Sequence, residues 1–293
     1  MNDPFEYSPK AIHHMELSIK RLRWANNPEY QHIHDALIRC RDEEGYNCGS
    51  LGCRLCRERA QASFSNSVSR GWHKKHQLYS YTIIPVDGWV AYDQIDAFDL
   101  LAFGRRHREK LKRVLPNGMR IAGGVDFSLN IFENGERSWQ VHLHFLTDHQ
   151  IEKKTEKALK LRYPKDDTKE IFRPLRIETI ASSDVRSNSK YSLKSYFLKR
   201  SGFIADPEKG GSGDRTGKGQ GLPADADELL QLALSKYRVT DALFLIGLKR
   251  KRTSDPAEIK LHRTGNANPS TSKLRGYGAR TKVCSRRKRK SRR

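Results

Sequence analysis

Apolar side chains alternate with imidazoles along Val141-His142-Leu143-His144-Phe145-Leu146. In a β-strand, successive side chains point to opposite faces, so His142 and His144 share one face and the apolar residues share the other. The apolar face suits a protein core, and two imidazoles about 7 Å apart along a strand can bind one metal ion. A histidine pair at this spacing is often structural, but the alternation and the basic chain favour a metal site.

The segment before this strand is predicted to pair with it as a hairpin. Gly123 to Phe132 has the composition of a strand, Asn134-Gly135 is a hairpin-turn signal, and Trp139 to Leu146 is the returning strand. A strict two-residue turn places Asp126 opposite Leu143, on the apolar face. A one-residue bulge or a longer loop brings Asp126 round to the histidine face.

A third metal ligand is expected to carry oxygen, because Mg²⁺ and Mn²⁺ prefer oxygen ligands. Asp126 is our first choice, and the alternative is that it is an ordinary strand acid. Gln140, on the same face as the histidines, is a lesser candidate, and Glu133 and Glu136 lie too near the turn. The predicted catalytic site for Mg²⁺ or Mn²⁺ therefore consists of His142, His144 and Asp126.

A tyrosine is predicted to lie on a short helix over Lys190 to Lys199. Tyr191 and Lys194 are three residues apart and therefore adjacent on a helix surface. A tyrosine hydroxyl is a poor nucleophile at its usual pKa of about 10, and a neighbouring ammonium favours the phenolate and can hold a phosphate oxygen. Tyr196 lies about 140° further round the helix and is predicted to pack. The alternative is a basic amphipathic helix in which both tyrosines only pack.

Four of the five cysteines, Cys40, Cys48, Cys53 and Cys56, are close together in the sequence. The spacing Cys53-x-x-Cys56 is typical of a structural zinc knuckle, which Cys48 and Cys40 can complete. His34 could replace Cys40 as a ligand, and free thiols are the alternative to a metal site. We expect a structural Zn²⁺ ion, with Arg54 and Arg57 of the same segment contacting phosphate.

Positive charge dominates the chain of 293 residues, whose formal net charge is +22. Such an excess favours a nucleic-acid partner. The last ten residues include seven lysines or arginines, and this basic tail is predicted to be disordered until it binds phosphate. No apolar stretch is long enough for a membrane span and no signal-peptide pattern is present, so we expect a cytoplasmic protein. The predicted phosphate-binding residues of the tail are Arg286, Arg287, Lys288, Arg289 and Lys290.

The sequence predicts an α+β protein with a helical N-terminal region. Residues 1–75 contain helices and the cysteine cluster, and residues 76–205 mix strands and helices around the histidine strand. Residues 206–227 are a Gly-rich linker, and residues 228–293 contain short helices and the basic tail. Further elements are predicted as helices over Ala91 to Val114, Glu228 to Lys236 and Val239 to Leu248, and as strands over Leu78 to Ile84 and Ile171 to Ile180.

In order and type, these features resemble the HUH endonucleases, in particular the rolling-circle replication initiators of small plasmids and single-stranded phages. The first motif of that family is similar to Tyr81-Thr82-Ile83-Ile84, the histidine-hydrophobe-histidine motif matches His142-Leu143-His144, and the Tyr-x-x-Lys motif matches Tyr191 and Lys194. Some members also carry a cysteine cluster and an acid on the preceding strand, similar to Cys53-x-x-Cys56 and Asp126. The resemblance covers roughly Cys40 to Lys199.

The resemblance implies an RRM- or ferredoxin-like antiparallel sheet of about five strands, with the metal on its exposed face and Tyr191 delivered from a helix. It implies site-specific nicking and rejoining of single-stranded or hairpin origin DNA through a 5′-phosphotyrosine. Lys194 would balance charge beside the tyrosine. Because no phosphate-binding loop of the G-x-x-x-x-G-K-[ST] kind is present, a host helicase and the replication machinery are expected partners.

Two features depart from the family pattern. The acid is aspartate where glutamate is common, and serines, Ser187 and Ser195, occupy the positions four residues on either side of Tyr191, where many plasmid members carry a terminating residue. Two alternatives stay open. One is a transposase of single-stranded DNA with the same chemistry, and the other is a non-catalytic nucleic-acid binder built from a zinc knuckle and an RRM-like sheet, which would need aromatic residues on the exposed sheet face.

Overall fold

The computed structural model describes residues 5–24, 28–72, 77–132, 134–201 and 220–264. Within these ranges the strands are β1 (Gln77–Ile83), β2 (Trp89–Ala91), β3 (Ile121–Ile131), β4 (Arg137–Thr147), β5 (Leu175–Ala181), β6 (Leu198–Ser201), β7 (Gln220–Gly221), β8 (Leu243–Ile246), β9 (Leu248–Lys251) and β10 (Lys260–Arg263). The α-helices are α1 (Pro9–Trp24), α2 (Pro28–Asp42), α3 (Arg54–Trp72), α4 (Leu100–Lys112), α5 (Lys153–Arg162), α6 (Val185–Ser192) and α7 (Ala224–Ser235).

The long hairpin of β3 and β4 closes between Phe132 and Glu136 rather than at a two-residue turn. The amide of Phe132 donates to the carbonyl of Glu136 at 2.9 Å, and Gly135 adopts a positive φ of 83°, which glycine does at no steric cost. The hairpin register therefore differs by one residue from that of a two-residue turn. Asp126 pairs with His142 and lies on the histidine face, as expected for the longer loop.

The main sheet has eight strands, in the order β5-β1-β4-β3-β6-β7, with β2 also pairing with β4 and β8 also pairing with β3. All pairs are antiparallel except β3 with β6, which is parallel. The prediction of an α+β chain with a mostly antiparallel sheet is confirmed at this level. The estimate of about five strands was too low, because β2, β6, β7 and β8 are too short to show a period of two.

The helices pack on both sides of this sheet and share one core with it, from Ala11 to Ile259. α3 packs against α1 and α6, and α6 covers β3 and β4 on the histidine face. The region after residue 228 joins the same body: β8 extends the main sheet, and the amide of Leu261 in β10 donates to Ser67 Oγ of α3 at 2.8 Å. The described parts of the N-terminal, central and C-terminal regions predicted from the sequence therefore share one core.

Three of the predicted helices differ from the elements in the structure. The prediction over Lys190 to Lys199 is wrong, because α6 ends at Ser192 and the chain then extends into β6. The prediction over Val239 to Leu248 is also wrong, since β8 occupies Leu243–Ile246. The helix predicted from Ala91 begins only at Leu100, where Asp99 Oδ1 accepts a hydrogen bond from the Ala102 amide as an N-cap.

Residues 228–293 were predicted to contain only short helices and the basic tail, but β9 and β10 form a second, two-stranded sheet that ends at Arg263. In the described part of the chain, none of the helices combines the length and the apolar character that a membrane crossing requires.

Candidate active site and cysteine centre

Asp126, His142 and His144 converge on one point between β3 and β4. Their potential ligand atoms all lie within 4.8 Å of one another. The Nε2 atoms of His142 and His144 lie 2.9 and 3.3 Å from the same carboxylate oxygen, Asp126 Oδ2. This arrangement can bind a metal ion. The site was expected on an exposed face, but all three residues are buried, because α6 covers that face.

The hydrogen bonds behind the imidazoles orient both rings toward this point. Nδ1 of His142 lies 3.1 Å from the carbonyl oxygen of Gln140, which can only accept, so Nδ1 carries the proton and Nε2 presents a lone pair. Nδ1 of His144 lies 2.9 Å from the hydroxyl of Thr82 on β1. Both Nε2 atoms and Asp126 Oδ1 lack a hydrogen-bond partner among the described residues. Lone pairs that face a carboxylate fit a cation between them.

The charges of the site also fit a metal ion. Burial lowers the pKa of both imidazoles, to about 3 for His144, so both are neutral and able to bind metal at pH 7. Burial alone would raise the pKa of Asp126, but the ammonium of Lys194 outweighs it and holds that pKa well below its usual range. Asp126 is therefore ionised.

Tyr191 and Lys194 lie against this centre. The ring of Tyr191, in the last turn of α6, is centred 4.6 Å from the His144 ring, and its residue is 46% exposed. Lys194 lies beyond the end of α6, so the predicted helical pairing with Tyr191 is wrong. Its Nζ is nevertheless 2.5 Å from Asp126 Oδ2 and 4.4 Å from the centre of the Tyr191 ring. Tyr191 thus links a buried polar centre with solvent.

Gly124, beside His144 on the sheet, lets α6 approach this closely. A Cβ atom at this position would lie 2.6 Å from Leu193 Cδ1 and 3.1 Å from the carbonyl oxygen of Ser192. Any larger residue would therefore push the end of α6 away from the metal ligands. This function of Gly124, and the orienting role of Thr82, were not predicted from the sequence, since each depends on the register of paired strands.

Serine side chains fix α6 to α3. Ser189 Oγ donates to Ser65 Oγ at 2.8 Å, and Ser65 Oγ donates to the carbonyl of Arg186 at 2.9 Å. Gln61 of α3 donates to the carbonyl of Lys190 at 2.8 Å, next to Tyr191. The helix that begins within the cysteine cluster therefore also positions the tyrosine helix.

The cysteines form a second centre at the start of α3. Their sulfur atoms lie within 4.8 Å of one another, with Cys40 and Cys48 at 3.7 and 3.6 Å from Cys56. The amides of Cys48 and Gly49 point at the sulfurs of Cys40 and Cys56, at 3.0 and 3.3 Å. Hydrogen bonds from the other three thiols lower the pKa of Cys48. The four cysteines lie close enough to bind a metal such as zinc; His34 instead contacts its neighbour Asp35.

The residues predicted to contact phosphate have different environments in the structure. Arg57 is buried and donates to the carbonyls of Ser195 and Leu51, at 3.0 and 2.9 Å, so it joins the cysteine centre to the segment after Tyr191. Arg54 lines a cavity beside Tyr196. Tyr196 was expected to pack, but it is 40% exposed and does not lie with Tyr191. The basic tail, with Cys284 and Arg286 to Lys290, lies outside the described residues.

The Asp126–Lys194 pair makes a testable contribution to stability. Both side chains are at least 94% buried, so replacing Asp126 by Asn leaves a buried ammonium without its counter-charge. We expect Asp126→Asn to lower the free energy of unfolding in metal-free buffer by about 3–5 kcal/mol. Asp126→Asn/Lys194→Met should recover most of this loss. Urea unfolding checks both values.

Glu109→Gln is the matched control for this experiment, because it breaks the exposed Lys112–Glu109 pair and should change stability by less than about 0.5 kcal/mol. If Asp126→Asn unfolds at the same urea concentration as the wild type, the buried pair does not exist in solution.

Comparisons of the chain with protein-family models, with curated proteins and with solved structures found no match.

Proposed function

We propose that the protein nicks and rejoins single-stranded DNA at a specific site, with Tyr191 as the nucleophile, and thereby initiates rolling-circle replication. The observation that carries this proposal is the contact of a half-exposed tyrosine with a buried Asp-His-His centre. The Tyr191 ring lies against His144, and Lys194 lies between that ring and Asp126. A purely structural histidine pair would not require a fixed tautomer, a buried carboxylate and an open phenol at one point.

In the proposed reaction, the hydroxyl oxygen of Tyr191 attacks a phosphodiester phosphorus in line. The bond from phosphorus to the 3′ oxygen breaks, giving a 5′-phosphotyrosine and a free 3′-hydroxyl. The phenol loses one proton and the 3′ oxygen gains one, so no cofactor is consumed and the reverse reaction rejoins the strands. A divalent ion, Mg²⁺ or Mn²⁺, would polarise the scissile phosphate when bound.

The residues of the chain have separate functions in this proposal. The neutral imidazoles of His142 and His144 and the carboxylate of Asp126 would hold the ion, and Thr82 orients the ring of His144 through its Nδ1. Lys194 balances the charge that develops between the tyrosine and the phosphate. The net charge of +22 favours binding of a DNA strand from solution.

For the cysteine centre we infer a structural Zn²⁺ ion. Four thiolates around zinc, at about 2.3 Å each, form a tetrahedron whose sulfur atoms are about 3.8 Å apart. The sulfur distances of 3.6 and 3.7 Å match this value, and the donor set is the one that zinc prefers.

A transposase of single-stranded DNA would use the same residues in the same way, and the site does not separate it from a replication initiator. A non-catalytic binder is less well supported. It would present aromatic residues on an open sheet face, whereas α6 covers this face and its histidines.

A covalent-capture experiment tests the proposal without knowledge of the nick site. The full chain is incubated with Mn²⁺ and a labelled pool of single-stranded oligonucleotides of random sequence, and the products are separated on a denaturing gel. We expect a protein–DNA adduct that EDTA prevents, with the DNA linked to Tyr191 in mass spectrometry and one sequence enriched in the linked strands. If no pool gives an adduct, the proposed nicking activity is wrong.

A further inference from the structure

A second polar site lies beside the segment that follows Lys194. It is a cavity of about 240 Å³ between α1, the start of α3, the segment 196–198 and α7. Its lining includes Lys10, Arg21, Arg54, Arg57, Tyr196 and Asp227. Nothing in the proposed cleavage reaction uses this cavity.

The charge of the cavity is strongly positive. Four cations face one acid, Asp227, whose carboxylate already pairs with Arg21 at 3.5 Å. Arg57 is also satisfied, by two backbone carbonyls. This leaves Lys10 and Arg54 as the cations that can bind a ligand.

Arg54 has the features of a built anion site. The residue is 9% exposed, and its Nε atom has no hydrogen-bond partner among the described residues. In the same part of the chain it forms no ion pair within 4.0 Å. Glu58 and Asp227 offset part of the cost of this buried charge without pairing with it directly, so its unpartnered Nε atom can still bind an anionic ligand.

Tyr196 adds a surface on which a base can stack. Its ring is partly open to solvent, with the guanidinium carbon of Arg54 5.2 Å and Lys10 Nζ 5.6 Å from the ring centre. Aromatic rings beside cations are the elements that bind single-stranded nucleic acid. The cavity is smaller than the roughly 300–1,000 Å³ of sites for drug-sized ligands, which suits one nucleotide.

We propose that this cavity binds one nucleotide of the DNA strand, next to the stretch that reaches Tyr191. The base stacks on Tyr196, and Arg54 and Lys10 hold the adjoining phosphate. The segment itself connects the two sites, since Lys194 contacts Asp126 and Tyr196, two residues later, lines the cavity. The strand assignment rests on the proposed function, but binding at the cavity is measurable without cleavage.

The test measures binding alone, in EDTA, by fluorescence anisotropy of labelled oligo(dT) with chains that also carry Tyr191→Phe. Tyr196→Leu should weaken binding about tenfold with an unchanged salt dependence, whereas Tyr196→Phe should keep the affinity. Arg54→Gln and Lys10→Gln should each make the slope of log K against log salt shallower by about 0.7, as expected for one lost phosphate contact on a single strand. Lys10 is exposed, so its variant does not depend on refolding of a buried site.

Arg105→Gln, on the exposed face of α4, is the control and should leave affinity and slope unchanged. Photo-crosslinking with 5-bromouracil oligonucleotides should label the peptide that contains Tyr196. Unchanged affinity in Tyr196→Leu, or cross-links only elsewhere, would overturn the proposal. Displacement of the oligonucleotide by equimolar dTMP would overturn the strand assignment.

Failure of the two proposals is distinguishable. A Tyr191 adduct with normal binding by Tyr196→Leu removes only the nucleotide cavity, and a Tyr196-dependent affinity without any adduct removes only the nicking activity.

Discussion

Tyr191→Phe is expected to reduce covalent protein–DNA adduct below detection, a loss on the order of 10³-fold or more. The change removes only the attacking oxygen. The phenylalanine ring keeps the contacts with the His144 ring and with Lys194 Nζ, and the position is already half exposed. The measurement is the denaturing gel, with the DNA sequence enriched from the wild-type adduct as substrate.

Tyr196→Phe is the matched control for this variant, since it removes the same oxygen from a tyrosine five residues away that does not contact the metal ligands. It should form the adduct at close to the wild-type rate. Mn²⁺ affinity, measured by isothermal titration calorimetry, should be unchanged in Tyr191→Phe and strongly reduced in His142→Ala. An adduct in Tyr191→Phe that maps to another tyrosine would show that the nucleophile is assigned wrongly.

The second large effect is expected at the cysteine centre. Binding of structural Zn²⁺ by a knuckle contributes about 10–16 kcal/mol in apparent free energy, which is comparable with the whole stability of a domain, about 5–15 kcal/mol. Cys53→Ser should therefore lose the bound zinc and unfold the region around α1, α2 and the start of α3. Metal analysis should give one zinc per wild-type chain and less than about a tenth of that in the variant.

This loss should also reach the tyrosine. Cys53 directly precedes α3, and Cys56 lies in its first turn. Further along, α3 holds α6 through Gln61 and Ser65. We expect amide hydrogen exchange in α6 to speed up when zinc is lost, together with a fall in adduct formation. Cys284→Ser is the control, because Cys284 lies in the basic tail, far in the sequence from the other four cysteines. If Cys53→Ser keeps its zinc and its stability, the centre is a group of free thiols.

The sequence pattern singled out residues that lie together in the structure, but it did not show the contacts that hold them there. The histidine strand, Asp126, Tyr191 and Lys194 were found because alternation and residue type survive without knowledge of the fold. The register was left open, since Asn134-Gly135 fits a two-residue turn and the hydrogen bond between Phe132 and Glu136 sets the longer loop. Cleavage of DNA by this protein is still a prediction.

The helix that carries Tyr191 could not be located from the sequence for a physical reason. Leu193, Phe197 and Leu198 have helical spacing, and so a helix was predicted over Lys190 to Lys199. In the fold, Leu193 and Phe197 reach the core from the irregular chain between α6 and β6, and Leu198 begins β6. α6, Val185–Ser192, has serines on its buried side. The contact with α3 explains this, because Ser189 donates a hydrogen bond to Ser65 of α3.

The length of the loop between β3 and β4 controls which side chain of β3 faces His142, although the loop is distant from that position. Asp126 lies eight residues before Asn134, about 26 Å along the strand. The number of residues between Phe132 and Glu136 decides whether a carboxylate or an apolar side chain faces His142, although this loop is far from both histidines along the strands. We therefore expect substitutions in the loop to be tolerated as long as Gly135 keeps its positive φ, and a single insertion or deletion to move Asp126 off the histidine face.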